Sequence, residues 1–145
     1  MIKIAKITSV ETYSVRISVL RRGKNLETCP FDGDNLSTTA HFGMYFDTAL
    51  VGIVSVFKIN HPAFAILNQF QIRGMAVLDN HQHQGFGKRL IQQAENHATL
   101  LNANLIWMNA RENAMPFYLK LGYEISGTSF IIDGIGIHFL MLKYK

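Results

Sequence analysis

The spacing of apolar and polar positions divides the chain into short elements of two periodicities. Residues Ile2–Ile7 read as a strand. Thr8 and Glu11 then have the spacing of a capping box, which opens a helix with Val10, Tyr13, Ile17 and Leu20 on one face. Its β-branched residues weaken the helical preference. Residues 21–40 are polar and turn-rich, with Pro30 and the run Asp32-Gly33-Asp34-Asn35, and read as a loop. Loops of that length inside a small domain tend to be functional. Residues 41–47 and 50–58 predict a hairpin, 61–67 a connector, and 70–78 a central strand. Residues 86–101 predict an amphipathic helix with Leu90, Ile91, Ala94 and Ala98 inward. A strand over 105–109 comes next, then a helix over 114–121 closed by Gly122, and a last hairpin of 124–132 with 137–144 across Asp133-Gly134.

At 145 residues and 48% hydrophobic, the chain can form one compact domain over residues 1–145, burying roughly two-thirds of its unfolded surface. No apolar run approaches the ~20 residues of a membrane span. The start, Met-Ile-Lys-Ile-Ala-Lys, lacks the apolar core of a secretory signal. A single cysteine, Cys29, forms no internal disulfide, so the expectation is a reducing cytoplasm, with Cys29 a quiet loop thiol rather than a nucleophile. The net charge of +4 comes without a basic run, so neither nucleic acid nor membrane is expected as a partner; attraction of a polyanionic ligand accounts for the charge equally well.

The most informative stretch is Gln82-x-x-Gly85-x-Gly87, placed between the central strand and the amphipathic helix. Glycines at the mouth of a helix let the backbone approach a ligand. The first helical N–H groups lack intrahelical partners and can donate to an anion. A turn that merely needs glycine is the plain alternative.

In context, this stretch resembles the signature of the GCN5-related N-acetyltransferase (GNAT) superfamily, Gln/Arg-x-x-Gly-x-Gly/Ala after a strand, here ending Met75-Ala76-Val77-Leu78. A second match runs Ala114-x-x-Phe117-Tyr118-x-x-x-Gly122-Tyr123. The likeness covers the chain from about residue 40 and is weak before it. It implies an α/β (α+β) acyl-CoA N-acyltransferase fold: a mixed, mostly antiparallel sheet splayed at its centre, with flanking helices. It implies transfer of an acetyl group from acetyl-CoA to an amine of a small molecule or peptide, with no metal. A homodimer is compatible with all of this.

The resemblance also assigns residues. Pantetheine would lie along Met75, Ala76 and Val77, as an extended peptide adds to a sheet edge. The pyrophosphate would sit on the backbone of Gln82, His83, Gln84, Gly85, Phe86, Gly87 and Lys88. Tyr118 falls where many members use a tyrosine hydroxyl as the acid that protonates the departing CoA thiolate; the plain alternative is a half-buried core residue with a satisfied hydroxyl. Histone-type members carry a strand glutamate where this chain has Gln71, which cannot accept a proton. That leaves water, Glu112, His138 or His41 as routes for deprotonation, each also readable as structural. Gln69, Gln71 and Arg73 share a strand face. Arg73 would bind an acidic group on the acceptor, or would pair with an acid of residues 27–34. Arg111 stands where many members have asparagine, leaving Asn109 and Asn113 as cofactor contacts. A metal at His81 and His83 is disfavoured, since no second ligand cluster accompanies them. A catalytically silent acyl-CoA-binding module stays open. A dinucleotide-binding protein is disfavoured, because the early strand–glycine loop–helix start and the ribose-binding acid are missing.

Overall fold

The computed structural model describes residues 1–145. Seven strands, β1 (Ile2–Ile7), β2 (Ala40–Phe46), β3 (Ala49–Phe57), β4 (Gln69–Val77), β5 (Leu105–Arg111), β6 (Glu124–Ile132) and β7 (Gly136–Tyr144), form one sheet in the order β1-β2-β3-β4-β5-β7-β6. Every neighbouring pair is antiparallel except β4 with β5. The expected mixed, centrally splayed sheet is therefore present, and the strand boundaries lie within two residues of the sequence reading.

Helix α2 (Phe86–Leu100) buries Leu90, Ile91, Ala94 and Ala98, the expected stripe, in a core that includes Phe42 and Val54 of the sheet. The short α3 (Met115–Lys120) comes after β5 and ends at Gly122, whose φ of +95° is the left-handed conformation that terminates helices. A second apolar cluster of Ile7, Val15, Ile53 and Ala76 takes in Val19 and Leu20 of the first helical segment.

That first segment corrects the sequence reading. The capping box forms: Thr8 N–H donates to Glu11 Oε1 at 2.9 Å and Glu11 N–H to Thr8 Oγ1 at 3.3 Å. The segment it opens is not one regular helix. It is a 3-10 turn (Val10–Thr12), an α-helical turn α1 (Tyr13–Val15) and a π turn (Arg16–Leu20). These changes of pitch rotate the buried face. Val10, expected inside, is 67% exposed, while Thr12, Val15 and Arg16 are buried.

The burial of Arg16 has a specific cause. Its guanidinium makes a two-pronged bond to Asp34, Nη1 to Oδ2 at 2.6 Å and Nη2 to Oδ1 at 3.0 Å. It also donates to the Cys29 carbonyl and the Ser55 hydroxyl. Phe31 N–H donates to Asp34 Oδ2, and His41 bridges Ser55 Oγ and the Asp34 carbonyl. One ion pair thus ties the helical segment, the loop 21–39, β2 and β3 together. Burial alone would raise the Asp34 carboxyl pKa, but the hydrogen bonds from Arg16 and Phe31 outweigh it and hold the carboxyl below its ordinary value.

Removing one partner of a buried pair strands the other charge, at a cost of about 3–5 kcal/mol. Asp34→Asn should lower the Tm by roughly 6–20 °C at neutral pH, read by calorimetry. A carboxyl whose folded pKa lies below its unfolded one stabilises above the unfolded value, about pH 4, and loses that contribution as pH falls further. The variant should lose this acid-side component, giving a stability difference from wild type that narrows below about pH 4.

Candidate active site

Strands β4 and β5 are paired only from Gln69–Leu105 to Gln71–Trp107 and then part. Beyond Gln71, β4 keeps β3 on one side, through a bulge in which three steps from Arg73 to Ala76 face two steps from Ser55 to Ile53. β5 instead runs with β7 as far as Arg111, opposite His138. Gly74 lies in the bulge at φ +65°, and a Cβ there would come within 2.9 Å of the Phe31 ring. A bulge bends and twists its strand, and this one turns β4 away from β5 with Phe31 packed against the bend.

A cavity of about 860 Å³ fills the parting. Residues 71–75 of β4 and 108–111 of β5 form its walls, with residues 19–22, Phe31, Tyr118 and His138 around them. A second cavity of about 390 Å³ lies at the start of α2, and the two share Val19, Met75 and Gln82. Its lining includes Ala76, Val77, His83, Gly85, Phe86, Gly87 and Lys88.

The start of α2 has the form of an anion cradle. Gly85 is its N-cap at φ +81°, no side chain caps it, and the first ladder bond in the turn is Arg89 N–H to the Gly85 carbonyl. The preceding N–H groups of Phe86, Gly87 and Lys88 have no carbonyl upstream in the helix to bind. A Cβ on Gly85 would meet nothing within 4 Å, whereas one on Gly87 would come within 3.3 Å of Phe117 Cζ and 3.5 Å of Met75 Cε. These features fit a pyrophosphate. Gln82 instead closes the turn, its N–H bonding the Asp79 carbonyl and its side chain donating to the Val77 carbonyl at 2.9 Å. Ala76 is buried beside Ile7, Val15 and Ile53 and lines the smaller cavity but not the larger one. His81 packs against Phe46 and Phe86, and His83 is exposed.

Around the larger cavity, the two neighbouring tyrosines differ sharply. Tyr123 donates its hydroxyl to Glu95 at 2.7 Å. Tyr118 is buried on the cavity wall and its hydroxyl bonds no protein group, contrary to the satisfied-core alternative. Burial pushes the Tyr118 phenol well above the ordinary tyrosine value. Gln71 and Arg73 both reach the cavity; Gln69, on the same face, instead secures the connector through the His61 N–H and the carbonyls of Phe64 and Ile66.

The proposed proton acceptors separate as well. Both ring nitrogens of His41 are used in the Arg16–Asp34 network, and Glu112 does not line the cavity. His138 does. Its Nδ1 lies 2.8 Å from the Gly136 carbonyl, which can only accept, so Nδ1 carries a hydrogen and Nε2 is the acceptor of the neutral tautomer. Asn109 and Asn113 also line the cavity.

Comparison with known proteins gives the family and the fold. The model of the acetyltransferase (GNAT) family matches residues 12–123. The chain belongs to the GNAT family. The match begins well before residue 40, where the sequence likeness was weak, and takes in the irregular helical segment. The uncharacterized N-acetyltransferase YitI of Bacillus subtilis is 32% identical over 143 residues, covering 99% of this chain and 96% of its own. Among solved structures, Escherichia coli ElaA superposes with a TM-score of 0.76 at 17% identity, over 99% of both chains. PaiA N-acetyltransferase of Thermoplasma acidophilum, in complex with coenzyme A, gives 0.72 at 18%, over 100% of this chain and 99% of that one. The fold is therefore that of the GNAT acyltransferases.

Sequence reasoning did not place Phe31, Arg21 or Arg22 at this site. Phe31 is the lone aromatic of a polar loop, and that oddity was the available signal. Gly87→Val should weaken acetyl-CoA binding at least tenfold, measured by calorimetry, with the Tm of the free protein falling by only a few degrees. Unchanged affinity would remove the pyrophosphate from this turn.

Proposed function

We propose that this GNAT-family protein transfers the acetyl group of acetyl-CoA to a primary amine of a small molecule or peptide, by direct attack in a ternary complex. The observation that carries the reading is Tyr118, a buried phenol whose hydroxyl is unpartnered on a cavity wall that adjoins the free N–H groups of α2. When bound, acetyl-CoA supplies a thioester carbonyl already activated for attack. The chain's own residues position it: the turn before α2 takes the phosphates, and the unpaired edge of β4 at Met75–Val77 offers main-chain hydrogen bonds to the pantetheine arm. A β4 N–H directed at the carbonyl oxygen would stabilise developing charge, by about 3 kcal/mol per donor in well-studied cases.

Attack forms the C–N bond and breaks the C–S bond, and the sulfur leaves with the electron pair. The amine proton passes to Nε2 of His138, held in the accepting tautomer by the Gly136 carbonyl. Tyr118 serves the sulfur. Its raised pKa makes full proton transfer to a thiolate near pKa 8.5 uphill, so its part is a hydrogen bond to the developing thiolate. That donor remains protonated throughout the range in which the amine loses its proton. A free, buried Cys29 fits the cytoplasm as the site of action. No helix is long and apolar enough to cross a membrane. Gln71, which cannot accept a proton, favours the alternative of a silent acyl-CoA-binding module. Release of CoA, followed with a thiol reagent across a panel of amines, separates the two.

Tyr118→Phe should lower kcat by roughly 10- to 1000-fold with little change in acetyl-CoA affinity; a loss confined to thermal stability would make Tyr118 a core residue. His138→Gln should lower kcat/KM by about 100-fold or more, measured by release of CoA. An unchanged kcat/KM in the variant would assign deprotonation to another group.

A further inference from the structure

Four arginines, Arg21, Arg22, Arg73 and Arg111, line the larger cavity, and its one carboxylate is Asp79. Asp79 is engaged by Arg22, near the cofactor turn. The other three cations have no carboxylate partner. Arg21 and Arg111 spend some of their donors on the Leu20 carbonyl, and Arg21 a further one on the Thr28 carbonyl.

Arg73 spends none. It has no hydrogen bond to the protein, and its guanidinium lies over the rings of Phe31 at 4.6 Å and Phe57 at 5.5 Å. The acid that could have neutralised it from the preceding loop, Asp34, has both oxygens taken by Arg16. Burial, and after it the Arg16 charge, lower the Arg73 pKa, while the charges of Asp34 and Asp32 offset this only in part. Burial and the Arg21 charge do the same to Arg111 on the facing strand. A half-buried guanidinium held over aromatic rings, with its five donors unspent, is organised to receive an anion in two-pronged fashion.

We infer that the acceptor amine carries an acid group, a carboxylate or a phosphate, and that Arg73 receives it on the β4 wall with Arg21 and Arg111 beside it. The inference rests on the acetyltransferase reading. It assigns that site a substrate class: amino acids or amino-sugar phosphates, and not polyamines. The same cluster disfavours a bare cationic amine, because three uncompensated guanidiniums repel it.

The test is acetylation of matched pairs: amino acids against their decarboxylated amines, and glucosamine 6-phosphate against glucosamine. The acidic member should have the higher kcat/KM in at least one pair, and which pair responds separates carboxylate from phosphate. Arg73→Gln should raise KM for that acidic member by roughly 10- to 150-fold with little change in kcat. Arg73→Lys, which keeps the charge and loses the fork, should fall between and controls for a folding defect in the first variant. Faster turnover of spermidine or of the decarboxylated amines by the wild type overturns the inference. So does a variant whose only change is in the KM for acetyl-CoA, since Arg73 would then serve the co-substrate. If no amine is acetylated at all, the transferase reading fails separately, and calorimetry with N-acetyl amino acids and glucosamine 6-phosphate in the presence of CoA decides. Binding weakened at least tenfold by Arg73→Gln supports the anion site; absent or unaltered binding overturns it.

Discussion

The functional architecture depends on β4 and β5 parting after three paired residues. A parallel pair that continued along both strands would leave no edge for a ligand and no space between the two halves of the sheet. The parting arises from backbone geometry. Gly74 takes a left-handed conformation that adds a residue to β4 opposite β3, and β5 stays in register with β7. The Phe31 ring lies where a side chain at residue 74 would have to go. The opening is thus built into the strands and braced by a loop, and the chemistry is placed along its two walls.

Charge is distributed around that opening in two different ways. Arg16 is fully buried and matched: Asp34 holds it by two bonds, and the Cys29 carbonyl and the Ser55 hydroxyl take further donors. Because this pair consumes Asp34, the neighbouring Arg73 is left without an acid, although it stacks on the same Phe31 ring. Structural neutralisation of one arginine leaves the charge of the other unpaired. The tyrosines obey the same logic. Glu95 satisfies Tyr123, while Tyr118, one edge contact away, keeps its donor for the cavity.

Much of this was legible beforehand. The strands and α2 carry their periodicity over long enough stretches to be read directly, and the turn Gln82-x-x-Gly85-x-Gly87 announces an anion cradle because glycine and an uncapped helix start are local requirements. The capping box of Thr8 and Glu11 was equally local, and it forms. The face of the segment it opens was not readable. Its pitch changes twice: Val10 of the expected stripe is exposed, Leu20 still packs, and Thr12, Val15 and Arg16 are buried, with Arg16 held by a distant carboxylate.

The sequence by itself determined the strands, α2, their order along the chain and the glycine turn before α2, because each depends on neighbours within a few positions. Only the tertiary structure decided which histidine lines the cavity, which tyrosine stays unpartnered, and which arginine goes unpaired. His41 and His138, Tyr118 and Tyr123, and Arg16 and Arg73 are chemically equivalent in pairs. Partners remote in the chain distinguish five of the six: Ser55 for His41, Glu95 for Tyr123, Asp34 for Arg16, and the lack of any such partner for Tyr118 and Arg73. For His138 it is the Gly136 carbonyl two residues away, brought into reach by the start of the last strand. A pattern along the chain carries no record of such contacts, which exist only after the sheet has closed around them.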